Sequence, residues 1–210
     1  MKMIVVYVML LEGKLVRWAG PALLAFSLLS PATASDSTGA QQRLAVMGID
    51  VNAARLIQFA AQGDVMVVDL LLSAGLSVNA DEPSRQVTAL HNAAAQGHLR
   101  LVGLLVERGA GVNPVDWRGN TPLINAAYFG RTEVVRRLLA HGADVSHVSK
   151  DGNTALIAAV LSGNPSTVKL LVAAGFDLSL IPDGTLAKAV AGRLQQVPMV
   201  IDKLPSSYAP

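Results

Sequence analysis

The chain has 210 residues, of which 51% are hydrophobic, 15% charged and 4% aromatic, which allows one domain with an aliphatic core. Residues 1–34 carry the whole formal charge of +2, because they hold three of the 17 basic and one of the 15 acidic residues, and residues 35–210 are neutral. A neutral body argues against nucleic-acid binding, which needs concentrated positive charge. The absence of cysteine excludes disulfides, thiolate zinc sites and a thiol nucleophile.

The first element in chain order is an N-terminal segment typical of a secretory signal. Two basic residues precede an apolar run at residues 18–29, which is shorter than the ~20 residues that span a bilayer. The small residues 32–34 then fit a cleavage site after Ala34, before Ser35. We expect residues 1–34 to be a signal peptide, and the mature protein to be periplasmic or secreted. The form of this leader suggests a bacterium with an outer membrane.

A second apolar segment, residues 1–11, lies upstream of those basic residues, whereas the charges of a signal usually come first. Three alternatives therefore stay open: a later start codon, an uncleaved anchor interrupted by charges, and a buried apolar segment. We expect no membrane association unless this N-terminal segment is retained. Residues 35–48 begin with small polar side chains and predict a flexible lead-in.

Downstream of residue 48 one pattern recurs with a period close to 33 residues. TALHNAAAQG begins at Thr88, TPLINAAYFG at Thr121 and TALIAAVLSG at Thr154, and a degenerate copy, ARLIQFAAQG, begins at Ala54. A fixed period of this size is the signature of a solenoid of stacked units. Three strongly aligned columns are Leu56, Leu90, Leu123 and Leu156; Gly63, Gly97, Gly130 and Gly163; and Gly75, Gly109, Gly142 and Gly175.

Each unit predicts two helices followed by a projecting loop. Thr88, Thr121 and Thr154 are expected to cap the first helix, with Pro122 in its first turn. A glycine ends that helix, and a second helix carries valine and leucine at three- and four-residue spacing. A second glycine, such as Gly109, then closes this helix in a left-handed conformation. One unit cannot bury its own apolar face, but stacked units can.

These motifs resemble those of ankyrin repeats. The resemblance rests on DWRGNTPL…AA…G over residues 116–130, VVxxLLxxGADV over residues 134–145 and DGNTAL…LLVAAG over residues 151–175. It covers about residues 49–180 and implies an all-α ankyrin-repeat solenoid of helix-turn-helix units with projecting β-hairpin-like loops. It further implies protein binding rather than catalysis, on a concave face lined by the loop tips and the first helices.

The resemblance also sets the expected organisation of the domain. Residues 49–204 are expected to contain four recognisable repeats and, from residue 180, a degenerate C-terminal cap, followed by a tail at residues 205–210. The family's histidine after the leucine is present only as His91, so its bond to the threonine is available once. The first unit lacks the threonine cap, and the loop that follows it, residues 79–88, is one residue longer than the others.

No catalytic constellation is visible in the sequence. There is no phosphate-binding loop, dinucleotide fingerprint or nucleophile elbow. No two histidines have the i, i+4 spacing of helical metal ligands, so we expect His91 to be a structural hydrogen-bonding residue and the others to be polar surface residues. We interpret three loop aspartates as turn acceptors. The remaining histidines are His98, His141 and His147, and the aspartates are Asp116, Asp151 and Asp183.

The third unit concentrates three of the chain's nine aromatic residues. Trp117 and Arg118 are expected at a loop tip, and Tyr128 and Phe129 on the open side of the first helix. These residue types are frequent in interface hot spots. The alternative is that Tyr128 and Phe129 pack against the adjacent unit. The predicted protein-binding surface, extended into neighbouring units, is Trp117, Arg118, Tyr128, Phe129, Arg85, Gln96, Lys150, Asp151 and Leu161.

The sequence thus predicts an exported, monomeric protein without a cofactor, metal or enzymatic activity. It would bind an unidentified protein partner through its concave face and loop tips. One alternative is a secreted effector that acts on host proteins by binding them. The other, a metal-dependent or enzymatic factor on the same scaffold, has the least support because no nucleophile–base pair is present.

Overall fold

The structure is a computed structural model that describes residues 10–11, 14–15 and 37–176. Within these ranges the chain forms nine helices and two short antiparallel strand pairs. The strands are β1 (Leu10–Leu11), β2 (Lys14–Leu15), β3 (Asp81–Glu82) and β4 (Val87–Thr88). The helices are α1 (Ser37–Val46), α2 (Ala53–Gln62), α3 (Val65–Ser73), α4 (Ala89–Gln96), α5 (Leu99–Glu107), α6 (Pro122–Tyr128), α7 (Thr132–Ala140), α8 (Ala155–Ser162) and α9 (Pro165–Ala173).

The first helices of the third and fourth units begin at capping threonines, as predicted. The Thr121 and Thr154 hydroxyls accept the backbone N–H of Ile124 at 3.3 Å and of Ile157 at 3.2 Å. In the first unit, which lacks the threonine, the side chain of Asn52 takes this role. Each cap satisfies one of the N–H groups that a helix leaves free at its start.

The helices pack in two layers. The first helices, α2, α4, α6 and α8, lie side by side, and the second helices, α3, α5, α7 and α9, form the other layer. The alanine pair Ala126–Ala127 is fully buried between first helices, where its small side chains allow close approach. Leu123 and the other leucines of its column lie at the centre of the resulting core. The predicted all-α solenoid is therefore confirmed.

The expected flexible lead-in at residues 35–48 is wrong for most of its length. Helix α1 occupies this region and packs against α3. Ala40 and Leu44, four residues apart on one helix face, are fully buried, and the Gln41 side chain donates to the Ala74 carbonyl at 3.1 Å. The physical reason is that the first unit has no preceding unit, so α1 covers its apolar side.

A repeated contact ties each unit to the one before it. The residue after the first-helix glycine donates to a backbone carbonyl in the preceding unit: Arg131 Nε to Ala95 at 3.1 Å, and Asn164 Nδ2 to Gly130 at 3.0 Å. His98 Nε2 lies 3.0 Å from the equivalent carbonyl, of Ala61. The half-buried His98 is therefore an inter-unit contact, and the prediction of a polar surface residue was wrong.

Some predicted features lie outside the described residues. These are the cleavage site after Ala34, most of the leader, the C-terminal cap at residues 180–204 and the tail at residues 205–210. Among the helices within the described ranges, none is both long and apolar enough to cross a membrane.

Candidate functional site

The loop tips of successive units are joined by backbone hydrogen bonds. The Trp117 N–H donates to the Arg85 carbonyl at 2.9 Å, and the Lys150 N–H donates to the Arg118 carbonyl at 3.0 Å. The Lys150 ammonium also donates to the carbonyl of Trp117 at 2.9 Å. These bonds fix the tip that carries Trp117 and Arg118 against both neighbours.

The base of this tip is organised by a buried carboxylate. Asp116 is 7% exposed and accepts the backbone N–H groups of Arg118 at 2.9 Å and Asn120 at 2.8 Å, which confirms it as a turn acceptor. In the next unit the Ser149 hydroxyl has the equivalent role. The interpretation of Asp151 as a turn acceptor was wrong, because Asp151 lies two residues further on, is exposed and pairs with Arg118.

An open groove lies between the tips and first helices of the third and fourth units. It encloses about 430 Å³. Trp117, Tyr128 and Phe129 line it and are 54%, 55% and 52% exposed, so the alternative that Tyr128 and Phe129 pack against the adjacent unit does not apply. The Tyr128 and Phe129 rings meet edge to face, with centroids 5.1 Å apart. The Arg118 guanidinium lies 5.5 Å from the Trp117 ring centroid, in a cation–π arrangement.

The structure brings most of the predicted surface together, but not all of it. Leu161 on α8 joins the three aromatic residues and Arg118 in the lining of the groove. The loop tip before the fourth unit carries two further predicted residues, Lys150 and Asp151. Asp151 Oδ2 lies 2.8 Å from Arg118 Nε.

Two other predicted residues lie one unit before the groove, apart from the tip that carries Lys150 and Asp151. Arg85 contacts the tip of the third unit through its backbone carbonyl, and its side chain does not line the groove. Gln96 is exposed at the C-terminal end of α4, one unit before the groove. The predicted surface therefore extends one unit beyond the groove toward the N-terminus.

Six lining residues were absent from the predicted surface: Asp116, Asn120, Ile124, Asn125, Asn153 and Ala158. Asn125 and Asn153 are half-buried in the lining, and within residues 37–176 their side-chain amides make no hydrogen bond. Asn92, the equivalent of Asn125 one unit earlier, instead donates to the Ile57 carbonyl at 3.3 Å. The only sequence signal for Asn125 was that it is an asparagine at the helix position where the fourth unit has Ala158.

His91 links its own helix cap to the next loop tip. It is 1% exposed, and its Nδ1 accepts the Thr88 backbone N–H at 3.1 Å. Its Nε2 lies 3.1 Å from the Asn120 carbonyl and therefore carries the proton of a neutral ring. Burial lowers the pKa of His91, and the Asn120 carbonyl and the charge of Asp116 oppose that shift. The threonine–histidine contact expected from the resemblance is confirmed.

Acid is expected to destabilise the native chain more than the variant His91→Ile. Isoleucine is the residue that the other three units have at this position. The unfolded histidine titrates near 6.5 and the folded one lower, so the unfolded state binds more protons below that pH. The contribution of His91 to the free energy of unfolding should therefore be constant above about pH 6.5. Below that pH it should fall by up to about 1.4 kcal/mol per pH unit. The measurement is the difference in unfolding free energy between the two chains across this range; parallel curves would contradict the prediction.

The remaining polar groups of residues 37–176 form no recognisable metal site. Over the described part of the chain, no three histidine, aspartate or glutamate side chains are grouped as metal ligands would be. His147 is half-buried, with Nε2 2.9 Å from the Gly119 carbonyl, so it also differs from the surface residue that we expected.

Comparison with known proteins agrees with this architecture. The family model of ankyrin repeats (3 copies) matches residues 56–149 and 110–181. No curated protein is significantly similar to the chain. Ankyrin repeats are protein–protein interaction modules. Because the model spans more than half of the chain, and the helix pairs repeat at the same period in the structure, the protein belongs to the ankyrin-repeat family.

Proposed function

We propose that this protein is an exported, non-catalytic binding module that holds a protein partner in the groove of its third and fourth units. The observation that carries the proposal is the set of three aromatic rings, Trp117, Tyr128 and Phe129, each more than half exposed in one groove. The buried core of the described residues is aliphatic apart from Phe176 and includes none of the three. Tryptophan and tyrosine at such a position are the residues that most often dominate binding energy.

Three further exposed apolar side chains lie in or near the same two units, and four others, Val46, Met47, Val51 and Met66, lie nearer the N-terminus. Val115, Val148 and Leu161 are 43%, 44% and 45% exposed and belong to the third and fourth units or the loops before them. A concentration of apolar side chains with a polar rim is typical of an interaction site. Arg118 and Lys150 provide charged groups at this rim.

The double substitution Trp117→Ala/Tyr128→Ala is expected to abolish partner capture from periplasmic extract or culture medium. Each hot-spot residue contributes about 2 kcal/mol or more, so the pair should weaken binding by several hundredfold. Both side chains are exposed, so thermal unfolding should change little. Met66→Ala is the matched control, because Met66 is 64% exposed but lies on α3, outside the groove. Capture of the same partner by the double variant would refute this surface.

Export is supported by the pattern of the leader and by the position of the first described helix. Helix α1 begins at Ser37, so cleavage after Ala34 would leave it intact. N-terminal sequencing of the protein from its own host should begin at Ser35. A membrane-bound form that keeps residues 1–34 would favour an anchor instead, and accumulation in the medium rather than the periplasm would favour the secreted effector.

A further inference from the structure

We infer that the groove holds an extended, uncharged segment of the partner, with its backbone bound by Asn125 and Asn153 and one bulky apolar side chain against the aromatic rings. This inference rests on the proposed function and specifies the conformation and chemistry of the bound segment. It depends on which polar groups of the groove are already hydrogen-bonded within the described residues and which are not.

The two asparagines have hydrogen-bonding capacity that the described chain does not use. Each side-chain amide offers one acceptor and two donor hydrogens, and neither makes a hydrogen bond within the described residues. Both residues are half-buried, so water reaches them only in part. Groups of this kind are stabilised by a ligand that supplies a donor and an acceptor together. The equivalent of Asn125 one unit earlier, Asn92, is already bound to a carbonyl, and the equivalent of Asn153, Asn120, contacts Asp116 Oδ2 at 3.4 Å.

A peptide backbone in extended form is the partner that fits a carboxamide. Each peptide unit presents one N–H and one C=O, which can pair with the acceptor and donor of an asparagine side chain. A helix uses these groups internally, whereas an extended segment leaves them available for recognition. Ala158, which replaces Asn125 in the fourth unit, is small and also lines the groove, so it leaves space for the bound chain.

The charges of the groove favour an uncharged segment. Arg118 pairs with Asp151, Lys150 donates to a carbonyl, and Asp116 accepts two backbone N–H groups on Oδ1 and the Asn120 side-chain amide on Oδ2. The formal charges of these four groups in the groove and at its rim sum to zero, so no net charge there favours a charged segment over an uncharged one. The groove volume of about 430 Å³ suits a large side chain with adjoining backbone. The aromatic rings supply the apolar contact for that side chain.

The probe for this inference is a phage-displayed library of random peptides, selected on the full chain. We expect enrichment of uncharged peptides with a large apolar residue at one fixed position. For the selected synthetic peptide, Asn125→Ala/Asn153→Ala should weaken binding roughly tenfold, the effect of losing about two hydrogen bonds. N-methylation of the peptide amides beside the apolar residue should weaken binding to the unmodified protein similarly. Gln62→Ala, exposed at the end of α2 and outside the groove, is the control and should bind normally.

The outcomes separate this inference from the proposed function. Binding that needs Trp117 and Tyr128, but ignores both asparagine substitutions and N-methylation, would overturn the extended segment and leave the binding surface standing. Enrichment of charged or helical peptides would do the same. Failure of the library to yield any groove binder would overturn the inference alone if a protein partner were still captured through Trp117 and Tyr128.

Discussion

Leu123→Ala is expected to lower the free energy of unfolding by about 2–5 kcal/mol, the usual cost of a cavity in a packed core. Leu123 is fully buried on α6, which packs against both α4 and α8. In a stack, stability is approximately a sum of unit and neighbour terms, so a cavity in the third unit weakens two interfaces at once. Unfolding in urea, followed by circular dichroism, measures the loss.

The matched control is Leu161→Ala, which removes the same atoms from a leucine that is 45% exposed on α8. Its stability should stay within about 0.5 kcal/mol of the native chain, while partner binding falls. Leu123→Ala should thus mainly lower stability, whereas Leu161→Ala should mainly lower partner binding. Equal losses of stability would mean that the groove leucine supports the core, and that the division between core and binding surface is wrong.

Gly119→Ala is expected to cost more than the same change at Gly152, its equivalent one unit later. Both glycines are left-handed, with φ of 79° and 74°, so both substitutions incur roughly 1–2 kcal/mol of backbone strain. At Gly119 the new Cβ would lie 2.9 Å from the Lys150 backbone nitrogen, whereas at Gly152 it meets nothing within 4 Å. Relieving this clash would disturb the bond from the Lys150 N–H to the Arg118 carbonyl, at a further cost of roughly 1–3 kcal/mol.

The same comparison tests how the tip supports binding. Because the tip carries Trp117 and Arg118, Gly119→Ala should also reduce partner capture, and Gly152→Ala should reduce it much less. Thermal unfolding of both variants and capture at a temperature where both are folded give the two readouts. Equal stability losses would show that the joined loop tips do not constrain the third unit.

The repeat period, the capping threonines and the helix-ending glycines were readable because they act locally. Thr121 satisfies an N–H only three residues away, and a glycine such as Gly97 closes its own helix at φ 85°. The exposed position of Trp117 and Tyr128 followed from the same local pattern once the units were aligned. Such features depend on neighbours in the chain, so a single sequence can reveal them.

Other features depend on residues about one repeat away and escaped that approach. His98 was expected at the surface, but it reaches the carbonyl of Ala61 in the preceding unit. Asp151 was expected to serve its own turn, but it pairs with Arg118, 33 residues earlier. Helix α1 was expected to be flexible because its polar composition says nothing about the apolar face that it covers.

The amino-acid sequence by itself determined the family, the helix pairs and the aliphatic core, because each unit repeats the same short-range caps, turns and apolar spacing. Only the tertiary structure decided which polar groups are satisfied by neighbouring units and which face the groove. Asn92 and Asn125 occupy equivalent helix positions, yet one is bonded to a carbonyl of the preceding unit and the other lines the groove without a bond among the described residues. Whether a side chain finds such a partner depends on distances between stacked units, and chain-local patterns do not contain those distances.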